Sequence, residues 1–377
     1  MTSAEVERYR AEFPVTRELI YFNHAGVAPL SRRVAEALVA FQADYVRFGA
    51  LHSARWDEQV EACRGRFARL IGAQPEEIAF IKNTSEGLSH VALGVPWKAG
   101  DNVIISDLEF PANVYPWLGL EGQGVEVRWL RAREGRLLVD DLARLMDGHT
   151  RLVALSSVEF SNGFRVDLEA VGQLCQRRGC YFLVDAIQSL GALPLDVEAC
   201  GIDFLAADGH KWLLSVEGLG GFYCSRRVAD AVAPRSLGWK SVVDPRDFDT
   251  YHFKLQPHAG KFEGGSLNVL GIYALGAALA LLEEVGMERI AARVLGLTDR
   301  LIEGLRGRGY EIVTPLGPGE RSGIVAFRGA APSGAILERL QREKVYACVR
   351  RGAVRLSPHF YNTEEEVEQA LRVLDAG

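Results

Sequence analysis

The stretch Asp203-Phe-Leu-Ala-Ala-Asp-Gly-His210-Lys211-Trp212 decides how this chain is read. Ile202 and Phe204 to Ala207 make a short apolar run of the length expected for a buried strand. Asp208-Gly209-His210 ends the run and delivers Lys211 just past the strand end, against Trp212-Leu213-Leu214. Desolvation there disfavours the ammonium form and leaves the amine a usable nucleophile near neutral pH. An isolated His-Lys pair at a strand end is more often a lysine snorkelling to solvent. The upstream sequence reverses those odds.

Cys180-Tyr-Phe-Leu-Val-Asp185-Ala-Ile-Gln188-Ser carries a second apolar run, Tyr181 to Val184, as in a parallel sheet covered on both faces. Asp185 closes it at the carboxyl end, where open α/β sheets bind their ligands. Lys211 follows Asp185 by 26 positions, room for one helix and one more strand. A nucleophilic amine with a carboxylate at a neighbouring strand end suits pyridoxal phosphate. The amine forms the Schiff base, and the carboxylate keeps the pyridine nitrogen protonated so that the ring acts as an electron sink. Gln188, three residues on, would reach the ring hydroxyl.

Further motifs keep the same order along the chain. In Phe80-Ile-Lys-Asn83-Thr84-Ser85-Glu86-Gly87-Leu88 a strand (Ile78 to Ile81) runs into hydroxyl residues that open a helix, which makes a phosphate cradle. The plain alternative is a Thr/Ser helix cap. Asp107-Leu-Glu109-Phe110-Pro-Ala-Asn113, Phe262-Glu263-Gly-Gly-Ser266-Leu-Asn268 and Val354-Arg355-Leu-Ser357-Pro-His359-Phe-Tyr361-Asn-Thr363-Glu364 complete the set. With these motifs the chain, from about Tyr21 to about Leu374, resembles the class V aminotransferases. That is the fold-type I branch of pyridoxal phosphate enzymes containing cysteine desulfurases, kynureninase and isopenicillin N epimerase.

The resemblance implies roles. Lys211 and Asp185 are catalytic, and Thr84, Ser85, Phe110, Gln188, Asp208 and His210 hold the cofactor. Ser266 would reach the phosphate of a neighbouring subunit, so the active sites of a homodimer are shared. Arg355 would clamp the substrate carboxylate with its planar guanidinium, and Asn23 and His24 in Tyr21-Phe-Asn23-His24-Ala-Gly26 are substrate contacts. Phe110 stands where desulfurases place a stacking histidine; a flat apolar face suffices for stacking, yet it cannot shuttle protons. Either Glu159 or Asn162 approaches the ring hydroxyl, and Trp239 either lines the substrate pocket or covers surface. No mobile cysteine loop precedes Arg355, and Cys348 sits in the β-favouring run Val345 to Val349, where a buried thiol is inert. The expected activity is transamination or epimerisation on an amino acid. A Cβ lyase, including C–S lyase or desulfurase chemistry, is the alternative, and an inactive partner subunit with the same fold is the rival from outside catalysis.

Composition agrees. The 377 residues suggest about two domains, and 48% hydrophobic with 24% charged residues is ordinary for a globular protein. A net charge of −6 gives no footprint for nucleic acid. The six cysteines contain no CxxC pair, so zinc or a disulfide framework is not expected, and a reducing cytoplasm fits. Val269 to Leu282, the longest apolar stretch, is too short to span a bilayer. The expected architecture is α/β: an arm (1–20), a large domain (21–255) with a mostly parallel seven-stranded sheet, and an interdomain helix leading to a small α+β domain (256–377). The strand after Lys211, in Glu217 to Cys224, is expected to be antiparallel and at the sheet edge. Ser3 to Glu12 should be a helix capped by Thr2 and Glu5, and Thr363 with Glu366 should cap the last one.

Overall fold

The computed structural model describes residues 1–375. Its centre is a seven-stranded sheet whose strands in chain order are β1 (Ile78–Ile81), β2 (Asn102–Ser106), β3 (Glu126–Leu130), β4 (Thr150–Ser156), β5 (Tyr181–Asp185), β6 (Phe204–Asp208) and β7 (Gly220–Cys224). Across the sheet they lie β1-β7-β6-β5-β4-β2-β3. All neighbours from β6 to β3 are parallel, while β7 is antiparallel to both β6 and β1. β5, β6 and β7 are almost entirely buried, as unbroken apolar strands covered on both faces must be.

The mostly parallel seven-stranded sheet is as expected, and two details differ. β7 is antiparallel but internal; the edges are β1 and β3. No helix lies between β5 and β6: residues 186–203 cross over through hydrogen-bonded turns such as Leu190 N–H to Ala186 C=O and Ala192 N–H to Ser189 C=O. Gly191, at φ +101, explains part of this, since a Cβ there would stand 2.2 Å from the Trp212 carbonyl oxygen. The crossover therefore presses directly on the segment that carries Lys211.

Helix Thr84–Gly94 lies against this sheet with glycine at the contact, because a Cβ on Gly87 would meet the Ala206 side chain at 2.8 Å. Helix Val269–Val285 packs on the helices Arg32–Phe48 and Ser53–Leu70. Among the described residues no single helix is long and apolar enough to cross a membrane.

The second sheet, four-stranded and antiparallel, contains Cys348–Arg350, Ala353–Leu356, Val325–Arg328 and Glu311–Ile312 in that spatial order, with helices Met287–Gly307, Ser333–Arg342 and Glu364–Asp375 around it. Ile20–Tyr21 pairs in parallel with Val345–Tyr346, which ties the start of the chain to this C-terminal part. Both predicted capping boxes are present, Thr2 with Glu5 and Thr363 with Glu366.

Candidate active site

The site gathers at the carboxyl ends of β4, β5 and β6, where strand-end residues leave the sheet. Asp185 is the last residue of β5 and is 2% exposed; its carboxylate accepts from the Ile187 amide at 3.0 Å. Lys211 comes one turn after β6. Burial lowers its amine to about 8, with the Arg355 guanidinium pushing the same way and the Asp185 carboxylate opposing. Burial raises Asp185 to about 6, although Lys211 pulls it down. Asp185 is the largest offset to the burial of Lys211, while Asp185 itself is held first by the Ile187 amide and then by Lys211.

The backbone beyond Lys211 is rigidly held. The Trp212 indole is fully buried and donates to Gln188 Oε1 at 3.1 Å, and the Trp212 carbonyl oxygen lies 3.0 Å from His359 Nε2. Gln188 also donates to the Ala25 carbonyl at 3.1 Å. Its oxygen is thus engaged in holding Trp212 and one of its two N–H groups in holding Ala25, which leaves a single N–H for the ring hydroxyl.

Phe110 is 45% exposed and offers a free aromatic face, with Lys211 Nζ 5.6 Å from the ring centroid. Such a large apolar ring beside a buried amine fits a flat ligand covering it. On the opposite side Asn83 caps the helix that begins at Thr84. Thr84 Oγ1 accepts from the Asp208 amide at 3.1 Å, which fixes the helix start to the end of β6. Ser85 lies exposed at that helix start, its hydroxyl free to meet an anion together with the helix amides. His210 Nδ1 is 3.1 Å from Asp208 Oδ1, yet neither atom makes an aligned hydrogen bond, so both retain capacity for a ligand.

Three buried carboxyls form the floor. Glu109 accepts from the Ser156 amide at 2.7 Å and from its hydroxyl at 2.5 Å. Glu159 is fully buried and neither of its oxygens has a hydrogen-bond partner. Burial pushes both upward, the Asp185 charge adds to that at each, and the Glu109 charge adds further at Glu159. Asn162 is spent locally, donating to the Gly135 carbonyl at 2.8 Å and accepting from the Phe164 amide at 3.0 Å. Of the two candidates for the ring hydroxyl, Glu159 is the one with free polar atoms.

The roof is Arg355, 1% exposed, on strand Ala353–Leu356. Its Nη1 donates to the Phe160 carbonyl at 2.6 Å and its Nη2 to Asn23 Oδ1 at 3.4 Å, while Nε has no partner. Among the described residues no carboxylate lies within salt-bridge distance of it. Asn23 thus sits beside the clamp. His24 does not: it is fully buried, with Nδ1 2.9 Å from the Ser357 carbonyl and Nε2 2.6 Å from the Tyr361 hydroxyl. Both ring nitrogens are occupied, which corrects the expected substrate contact to a structural one. Trp239, 44% exposed, and Ser266 line a trough of about 1240 Å³ with Phe41, Tyr45, Trp56 and Phe248, on a different face.

Two features escaped the sequence reading. Cys348 is in a strand as expected, but that strand is the edge of the small sheet, so the thiol is half-buried rather than enclosed; it stands directly across from Arg355. Arg350 and Arg351 crown the same hairpin at the mouth of the site. The signal was there in Val349-Arg-Arg-Gly352, a turn dipeptide between two β-favouring runs.

The buried amine, the facing carboxylate, the stacking ring, the helix-start hydroxyls and the unpaired guanidinium are the donor set that pyridoxal phosphate and an amino acid require. Comparison with known proteins agrees. The family model described as aminotransferase class-V matches residues 20–370. A probable cysteine desulfurase of Methanothermobacter thermautotrophicus is 31% identical over 98% of this chain and 97% of its own length. An uncharacterized aminotransferase of Bacillus subtilis, YcbU, is 30% identical over 97% of this chain and 96% of its own. The solved cysteine desulfurase of Thermococcus onnurineus superposes with a TM-score of 0.90 at 29% identity, covering 98% of this chain and 97% of that one. The chain therefore belongs to the class V aminotransferases and is a fold-type I, pyridoxal phosphate-dependent enzyme acting on an amino acid.

Proposed function

We propose that the enzyme works at the Cα of its substrate, as a transaminase or an epimerase. The amino-acid substrate rests on Arg355, a buried guanidinium with no carboxylate partner, close enough to Lys211 to lower its amine. The choice of Cα over sulfur transfer rests on Cys348, fixed in a strand paired along its length. A buried unpaired charge is costly, and the α-carboxylate of an amino acid cancels it with two parallel hydrogen bonds. When bound, pyridoxal phosphate supplies an electron sink for the pair of electrons left by a broken bond at Cα. Asp185 holds the proton on the ring nitrogen, and Phe110 supports the ring face. Thr84, Ser85 and the helix amides take the phosphate. Lys211, once its amine is free, carries the Cα proton.

Asp185→Asn tests the carboxylate directly. The variant should still bind the cofactor but lose most of its rate, on the order of 10²–10³-fold, because an amide cannot hold the proton. Near-normal turnover would make Asp185 structural.

A second reading, a Cβ lyase breaking a C–S bond, is favoured by the likeness to the probable cysteine desulfurase. Screening amino acids for keto acid, loss of optical activity, ammonia, sulfide, pyruvate and alanine separates the two. Keto acid or racemised substrate supports the first; sulfide with pyruvate or alanine as the main products supports the second. No product, together with no visible band sensitive to borohydride, would leave only a non-catalytic partner subunit.

We also propose a cytoplasmic homodimer with shared sites. The trough beside Ser266 is lined by apolar side chains open to solvent, Phe248 at 68% and Trp239 at 44% exposed. Patches of that kind mark interaction surfaces. Glu263, two residues before Gly265, is locked inward by Arg64 at 2.6 Å and by the Phe80 amide at 2.8 Å, so the Gly264–Ser266 tip points outward from a fixed base. Sedimentation should give a dimer, and Ser266→Ala should weaken cofactor retention several-fold. A monomer that keeps the cofactor firmly would exclude sharing.

A further inference from the structure

The hairpin that carries Arg355 holds two more arginines. Strand Cys348–Arg350 pairs antiparallel with Ala353–Leu356, with Arg350 opposite Ala353, so only Arg351 and Gly352 form the turn. Both have left-handed backbone, φ +45 at Arg351 and +75 at Gly352. That is the type I′ geometry of tight hairpins, which favours Asn-Gly. Arginine in the first place is strained, and strained non-glycine positions concentrate where the side chain is used.

Arg351 reaches across to the large domain. It donates to the Asp107 carbonyl at 3.0 Å, and its guanidinium lies 5.6 Å from the centroid of the Phe160 ring. Phe160 packs edge-on against Phe110, the ring beside Lys211, at 5.2 Å. Arg350 hydrogen-bonds only its neighbour's carbonyl, Val349 O, at 2.9 Å. Two residues along the strand from Cys348, which pairs with Arg355, it lies on the sheet face that Arg355 shares, and its charge disfavours the protonated forms of both Lys211 and Arg355. Among the described residues none of the three arginines forms a salt bridge, although acidic residues outnumber basic ones in the chain by 49 to 43; the carboxyl that feels the Arg351 charge, Glu159, is fully buried. The α-carboxylate accounts for Arg355 alone. Two guanidiniums at the mouth are left over.

We infer that Arg350 and Arg351 form a second anion subsite, which makes the preferred substrate an amino acid with a negatively charged side chain. Arg355 takes the α-carboxylate, and the hairpin tip receives the distal acid. This rests on the amino-acid reading proposed above.

Aspartate and asparagine test it, since they match in size and differ in charge. Each is titrated into the holoenzyme, and binding is followed by the change in the cofactor's visible band, which needs no assumption about the reaction. The parent should bind aspartate roughly tenfold or more tightly, and salt should erode that preference. Arg350→Gln and Arg351→Gln should each shrink the ratio of the two affinities, and the double variant should bring it near one. Arg351→Lys, which keeps the charge but not the planar contact with Phe160, should retain most of it. Equal binding of the two amino acids by the parent would overturn the subsite while leaving the amino-acid reading intact. So would variants that weaken both ligands alike. A band unmoved by either amino acid would overturn both.

Discussion

Lys211→Ala should fold, bind pyridoxal phosphate weakly and lose turnover by about 10⁴-fold or more, the product of losing both the covalent anchor and the proton carrier. Three structural facts make this the largest effect expected. Lys211 is held by a backbone that the crossover at Gly191 and the buried Trp212 leave no room to shift. Its amine is lowered to about 8 mainly by burial, so an appreciable fraction is free at neutral pH. Asp185 and Arg355 act on that amine in opposite directions and can be titrated apart by mutation. The sign is fixed: only the unprotonated amine attacks an aldehyde, so capture of added pyridoxal phosphate by the apoenzyme should accelerate as pH rises through about 8 and level off above it. In Arg355→Ala the midpoint should move upward, because the repelling charge is gone. Borohydride reduction with subsequent peptide mapping checks the anchor itself. A pyridoxyl group on any lysine other than 211 would remove it from this role.

Most of the site was legible because each piece is local. The apolar run 204–207 broken by Asp208-Gly209-His210 delivers Lys211, and the run 181–184 closed by Asp185 delivers the carboxylate; the composition of both strands dictates their burial. The illegible parts depend on pairing or on long-range partners. β3, Glu126-Val-Arg-Trp-Leu130, is an edge that carries charge at two of its five residues, and so gives no buried-strand signal. β7 is internal because β1, far upstream, closes on its free side, and no local pattern encodes that. The crossover 186–203 has length enough for a helix, but Gly191, Pro194 and Gly201 interrupt it. Gln188 and His24 have the residue types of ligand contacts, and only their partners show His24 spent on structure, through Ser357 and Tyr361, and Gln188 left with one N–H after Trp212 and Ala25. Chemistry of residue type proposes a site; the hydrogen-bond account decides which members are free to serve it.

Cys348 and Arg355 face each other across one antiparallel pair, and their substitutions should separate cleanly. Arg355→Ala removes a fully buried charge whose two amino nitrogens hold Phe160 and Asn23. It should raise KM sharply and cut kcat as well, together on the order of 10²–10³-fold in kcat/KM, because the carboxylate clamp also aligns the Cα–H bond. Arg355→Lys should recover only part of this, since a point charge cannot reproduce the two-pronged contact. Cys348→Ala should be nearly silent. A cysteine that accepts sulfur from a substrate must travel to it on a mobile loop, and here only the two-residue turn Arg351-Gly352 separates its strand from that of Arg355. The strand is paired along its length, from Cys348 opposite Arg355 to Arg350 opposite Ala353, so moving the thiol means breaking the ladder that positions the clamp. The half-buried thiol is thus near the substrate carboxylate but unable to track the substrate's side chain. A persulfide trapped on Cys348, with sulfide release lost in Cys348→Ala, would overturn this and make the protein a desulfurase of a different geometry.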